Sequence, residues 1–403
     1  MAEKADPFEA SASAIGYVYQ LRKALHLCVE RHGQGIDWSV AIEAGDDIEE
    51  VHKDSTVYYQ LKHRAPGVSL TDASTDLWKT LRIWAHAIAG HQLDLEETDL
   101  VLMTTAELPS GSAASLLQPV VAGCRDEAGA LKALTEARKA STNKDLKKAF
   151  ASFDTLTEEQ RQGMVSRIQV LGRAPDVEAV GDLLLERAVT AVGHAYAQPF
   201  LIRLEGWFFQ RTIRQLRARD VDAISGNEFD QVFTDYRNQF RPENLPIDED
   251  IADLEPNLAT YSDHAFVRQL NLLNISAPRV GKAVRDYMRA FTQRSRWSDE
   301  NLLLPGEISR FERRLVEEWG ELFDEMREEL GDEAAEVAKV AAARDIYRWA
   351  MSQVQRRIRP DCDEPFVVKG SFHMLADDHR VGWHIDFTTR LMSMLEPTEA
   401  TTP

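Results

Sequence analysis

The chain has 403 residues, with 66 acidic and 47 basic side chains and a net charge of −19. Its 44% hydrophobic and 28% charged composition is that of a globular protein with a sizeable core, long enough for two or three domains of about 100–200 residues each. A surface this acidic repels DNA on average, and residues 1–105 carry no basic footprint, so any nucleic-acid role needs a local site or outside help. No apolar run approaches the roughly 20 residues that cross a bilayer. The opening MAEKADPFEASAS lacks the basic-then-apolar pattern of a signal peptide. Cys28, Cys124 and Cys362 are too dispersed for a disulfide framework or a zinc site. The expectation is a cytoplasmic protein with no membrane partner.

In chain order, residues 11–31 predict an amphipathic helix with Val18, Leu21, Leu25 and Cys28 on one stripe and Gln20 off it, closed by HGQG at 32–35. DWSVAIE (37–43) alternates as a strand. VYYQLKHR (57–64) alternates too, with Tyr58, Gln60, Lys62 and Arg64 sharing a face. A second helix follows, with Leu77, Leu81, Trp84 and Ile88 on its stripe and Ser74 as N-cap. DLVLMTTAE (99–107) has the length and continuous apolarity of a strand covered on both faces. After the breaker LPSGS (108–112), residues 113–195 read as mostly helical, with a strand candidate at RIQVL (167–171). From about residue 200 helices dominate: one stripe is Val280, Val284, Met288 and Phe291, and another runs from Ile308 through Phe311, Leu315, Trp319 and Leu322 to Met326. RPENLPIDEDIADLEPN (241–257) reads as a loop or seam, FVVKGSFHML and VGWHIDF as short strands, and EPTEATTP as a disordered tail.

The first two strands each gather polar residues at one place: Glu43, Asp46 and Asp47 in EAGDD, then Gln60 and Lys62. Phosphodiester hydrolysis needs a divalent metal to polarise the phosphate and lower the pKa of water, and Mg²⁺ is held by one or two carboxylates plus waters and substrate oxygens. A nearby lysine stabilises charge developing on the phosphate. A carboxylate at a strand end followed by an x-Lys pair on the adjacent strand meets that need, and Gln20 on the first helix can reach the same place. Alone, EAGDD is simply a solvated turn and Gln-x-Lys an exposed strand face; their joint order and spacing favour a site.

In this order, GYVYQ, IEAGDDI, YYQLKHR and LTDASTDLWKTLRIW resemble the PD-(D/E)XK nucleases in their Gln-x-Lys form, and in particular the nuclease subunits of Lamassu, or ABC-three-component, anti-phage systems. The resemblance is good over residues 14–106 and weaker beyond, where VGWHIDF is similar to their partner-binding domains. It implies an α/β PD-(D/E)XK-like domain, a central mixed sheet flanked by helices, over residues 1–195 (core 11–107, helical extension 108–195). A mainly α-helical assembly and partner-binding domain would occupy 196–396, and a tail 397–403. It further implies Asp47 as main metal ligand and Lys62 as catalytic lysine. Gln60 stands where relatives have Glu or Asp, Glu43 or Asp46 completes the metal site, and Gln20 is the helix-borne polar residue. Which of Asp46 and Asp47 leads is open; Asp47 is preferred because it directly precedes Ile48. Mg²⁺, with Mn²⁺ as substitute, is the expected cofactor, and Arg64, His63 and Lys79 are candidate DNA contacts. The implied activity is sequence-unspecific endonuclease cleavage of double-stranded DNA. The implied partners are an SMC-like ATPase that holds the nuclease inactive and a third subunit, with self-assembly into a homo-oligomer on release. Gln60 is a weaker magnesium ligand than a carboxylate. That departure, the negative charge and the large helical half motivate the alternative, an inert nuclease-like adaptor that docks an ATPase.

The basic stretch RLEGWFFQRTIRQLRAR (203–219) reads either as a phosphate track or as a helix that binds another subunit. His373, His379 and His384 near Cys362 and Asp386 match no zinc spacing and are read as polar residues of a small sheet.

Overall fold

A computed structural model describes residues 7–218, 222–331 and 333–395; the expected tail at 397–403 lies outside them. The chain divides into two compact units, 1–235 and 236–403.

The first unit opens with α1 (Pro7–His32), then β1 (Trp38–Ile42), β2 (Ile48–His52), β3 (Thr56–Lys62), α2 (Thr75–Ala89) and β4 (Thr98–Thr104). It continues through α3 (Ala113–Leu116), α4 (Glu127–Ala140), α5 (Lys147–Thr155), α6 (Glu158–Arg167), β5 (Ile168–Leu171), α7 (Val177–Val192), α8 (Ala197–Arg217), β6 (Ile224–Ser225) and α9 (Gly226–Gln239). The strands form one mixed sheet in the order β5-β4-β3-β2-β1-β6. Pairings on either side of β4 are parallel, and those from β3 through β2 and β1 to β6 are antiparallel. β4, an interior strand next to the edge, is buried at all but one position, as its continuous apolar run requires.

Two strands escape the alternation rule. β2 carries IEEVH, whose inward Glu50 is fully buried and reads as polar. Glu50 accepts from Arg31 of α1, from the Tyr59 hydroxyl at 2.7 Å, and pairs with His52 at 2.9 Å. Burial alone pushes its carboxyl up; the hydrogen bonds from Arg31 and Tyr59 outweigh that and hold it below its ordinary value. β1 and β3 are therefore not neighbours, as the sequence suggests; β2 lies between them and pairs with both. The two-residue β6 is too short to leave a pattern.

One face of the sheet packs against α2, with Trp78, Leu81 and Trp84 meeting Leu100, Leu102, Phe153, Ile168 and Val170. All four stripe residues of α2 are buried. Ser74 stands at the N-cap, but its hydroxyl accepts from Thr71 N rather than from the helix. The other face meets α1 and α8, with α7 packed against both. On α1 the buried residues among those described are Tyr19, Gln20, Ala24, Leu25, His26, Leu27 and Cys28, while Val18 is exposed, so the expected stripe is rotated and Gln20 points inward.

The second unit holds α10 (Glu249–Ala252), α11 (Ala265–Leu272), α12 (Ala277–Asp299), α13 (Glu307–Leu330), α14 (Glu336–Ser352), α15 (Pro365–Asp377) and α16 (Phe387–Leu395). FVVKGSFHML is helical α15, not a strand, and VGWHIDF leads into α16 without strand structure. Pro365 starts α15 in the first helical turn. Gly370 lets it lie against α12, since a Cβ there would stand 2.1 Å from the Asp286 carbonyl oxygen. On α12 the buried face is Ala283, Val284, Ala290, Gln293, Arg294 and Trp297, and Phe291 of the expected stripe is exposed. Arg359 is clamped by both Glu307 oxygens at 2.8 and 2.9 Å and by the Asn244 and Leu302 carbonyls, which satisfies its buried charge. Among the described residues no helix is long and apolar enough to cross a membrane.

Candidate functional site

A cleft of about 270 Å³ opens where α1 crosses the β1–β2 connection, lined by Gln20, Glu43, Asp47, Lys62 and His63, with Tyr17 and Tyr19 on its helical wall. The connection itself is tightly held. Glu43 adopts a left-handed φ of 53°, a conformation that costs a non-glycine residue about 1–3 kcal/mol and tends to accumulate at functional sites. Its amide donates to the Asp47 carbonyl at 3.1 Å. Gln20 Nε2 donates to that same carbonyl and to Glu43 Oε1 at 3.1 Å, so one buried α1 side chain ties both ends of the turn. Gly45 is required there, because a Cβ would come within 2.3 Å of the Tyr58 ring.

The two adjacent aspartates diverge. Asp46 turns inward: its Oδ2 accepts from the Trp84 indole at 2.7 Å and its Oδ1 from the Asp47 amide at 3.0 Å. Burial pushes its carboxyl up to about 7. With both oxygens engaged away from the cleft, Asp46 does not line it. Asp47 lines the cleft; its Oδ2 accepts from the Leu61 amide at 2.7 Å and lies 4.0 Å from Lys62 Nζ. Among the described residues its Oδ1 has no partner.

Gln60 shares the face of β3 that carries Lys62 but is 2% exposed and does not line the cleft, and its Oε1 has no hydrogen-bond partner among the described residues. His63 lines the cleft with its ring 5.3 Å from that of Tyr19. Arg64 is bound to Asp76, with Nε at 2.6 Å, and Lys79 is exposed on α2 away from the cleft. The structure thus brings together Gln20, Glu43, Asp47, Lys62 and His63, and leaves Asp46, Gln60, Arg64 and Lys79 outside the opening. The sequence reading missed Trp84, which looks like one more core residue on its stripe, and Tyr17 and Tyr19, which carry no charge signal.

Among the described residues no group of three or more His, Cys, Asp or Glu is arranged to hold a metal. Two cleft carboxylates, each with one oxygen free of a hydrogen bond among the described residues, beside the neutral Gln20 amide do fit Mg²⁺, which keeps several waters and needs few protein ligands; they do not fit zinc. His373, His379 and His384 sit in or after α15 rather than on a sheet, and His373 is buried between Phe266 and Tyr347. A larger groove of about 830 Å³ in the second unit carries Arg356 and Arg357, paired with Glu318 and Asp363.

Residues 266–391, the span from α11 into α16, match the family model of C-terminal domain 7 of the ABC-three component (ABC-3C) systems. The second unit resembles ABC-three-component proteins. The ABC-three-component match leaves the cleft-bearing unit uncovered. No curated protein matches the chain. Among solved structures, the Cap4 SAVED/CARF-domain containing receptor of Moraxella osloensis aligns with a TM-score of 0.34 and 13% identity, over 70% of this chain and 69% of that one.

Proposed function

We propose that this chain is the nuclease effector of an ABC-three-component anti-phage system, a Mg²⁺-dependent endonuclease of the PD-(D/E)XK type acting on double-stranded DNA. The observation that carries the reading is the cleft itself: Asp47, leading into β2, stands 4.0 Å from Lys62 of the neighbouring β3, with Gln20 of α1 fastened to the β1–β2 turn that carries Asp47. The surrounding helix–strand–strand–strand–helix–strand order, with β3 and β4 parallel, agrees with the fold that the motif order suggests.

In this reading Asp47 and Glu43 would hold Mg²⁺, whose chemistry is to polarise the phosphate and acidify water. Lys62, an ammonium beside the Asp47 carboxylate, stabilises the charge that develops on the phosphoryl oxygens. Gln20 and the Leu61 amide fix the turn and Asp47, so the carboxylate is oriented before substrate arrives. No base-reading element is needed, since cleavage without sequence preference requires backbone contact alone. The C-terminal domain match supports partner subunits, of which an SMC-like ATPase would hold the nuclease quiet until release.

The neutral, enclosed Gln60 favours a second reading, an inert adaptor docked to the ATPase. Mn²⁺ titration by calorimetry separates the two. The nuclease reading expects binding that Asp47→Asn weakens at least tenfold; binding that the substitution leaves unchanged places the metal elsewhere and removes the proposed site.

A further inference from the structure

α8 presents apolar residues on two opposite faces. Phe200, Leu204 and Phe208 are buried in the first unit, and Gln215 donates to the Ile42 carbonyl of β1 at 2.9 Å. On the far side Ile202, Phe209 and Leu216 are each at least half exposed. Ile213 is half-buried, and around Gly206 there is open space where a Cβ would lie. The five residues 202, 206, 209, 213 and 216 recur at alternating spacings of four and three, the 3.5-residue period of a two-helix seam. At about 100° per residue they fall within an arc of about 80°. A helix face that ends in solvent is normally polar, and a continuous apolar stripe marks an interaction surface.

We propose that this stripe docks a second copy of the same chain, α8 against α8, antiparallel, about a twofold axis passing between Gly206 and Phe209. A twofold contact brings one surface onto itself, so the stripe must complement its own reverse; positions 202, 206, 209 and 213 do, while Leu216 lies beyond that overlap, opposite Pro199. Phe209 of each copy covers the open space at Gly206 of the other, and Ile202 meets Ile213. A parallel pairing would set glycine on glycine and phenylalanine on phenylalanine, leaving a hole next to a crowded layer. In the antiparallel register Arg203 lies beside Gln210 and Glu205 beside Thr212, so the flanks oppose no like charges. The contact rests on the self-assembly that the sequence resemblance implies and supplies its surface, but it does not depend on the catalytic step.

Sedimentation of the full chain without DNA or metal, over a wide concentration range, tests it. The wild type is expected to dimerise, and Phe209→Glu and Gly206→Leu to weaken the dimer at least tenfold, with circular dichroism unchanged. Val121→Glu, at a residue 97% exposed elsewhere in the first unit, should leave it intact. A wild type that stays monomeric throughout, or a dimer indifferent to both α8 substitutions, overturns the proposal. So does a stripe used only to bind a different protein, with the chain alone monomeric. A dimer that depends on α8 but cuts no DNA retains this inference and sinks the nuclease reading instead.

Discussion

Asp46 accepts from the Trp84 indole and from the Asp47 amide, and through the second bond it sets where the Asp47 carboxylate points. Adjacent residues of one type thus take different roles through their surroundings: one is a buried strut and the other the group that meets solvent. Trp84→Phe keeps the packing of α2 but deletes the donor, leaving a buried carboxyl oxygen unpaired, which costs about 1–3 kcal/mol. Urea unfolding of the variant should show that loss; an unchanged midpoint would mean the indole bond contributes nothing. Sequence order made Glu43, Asp47 and Lys62 legible because turn residues and strand alternation are local. The inward turn of Asp46 was not legible, since its partner lies 38 residues away on another element. Gln60 was read correctly as sharing Lys62's face, but its enclosure depends on neighbouring strands.

Among the elements, β4 and α2 were readable because their apolar patterns match their burial, whereas β2 hides behind a buried glutamate satisfied by Arg31, Tyr59 and His52. α15 misleads in the opposite way. Its valines and phenylalanines suggest a strand, yet Pro365 and Gly370 serve a helix pressed onto α12. That helix also buries His373, neither of whose nitrogens has a partner among the described residues, and burial drives its pKa down to about 3. The unfolded imidazole titrates near 6.5, so the folded state is favoured most above that pH and loses stability as the pH falls toward about 3. Between pH 6.5, where the unfolded imidazole is half protonated, and pH 5 the loss from this group is about 1.6 kcal/mol. Denaturant unfolding of wild type and His373→Leu at the two pH values should differ by about that much; parallel losses would show that the histidine is not the cause.

For the whole molecule, the charge of −19 opposes DNA binding by a single copy. The apolar stripe on α8 offers a way around it, because joined copies hold a DNA segment at high effective concentration. On the proposed reading, a nuclease without sequence preference needs such a threshold. The acidic composition was visible in the sequence, and so were the arginines of α8. The seam beside them was not, because only the fold reveals which face of α8 the first unit already uses.

Cleavage of supercoiled plasmid with Mg²⁺ over a wide series of protein concentrations, with Lys62→Ala in parallel, tests the central claim most directly. The account predicts cutting that rises faster than linearly with concentration and is lost in the variant. Cutting that persists undiminished in Lys62→Ala would contradict it, and wild type as silent as the variant at every concentration would favour the adaptor.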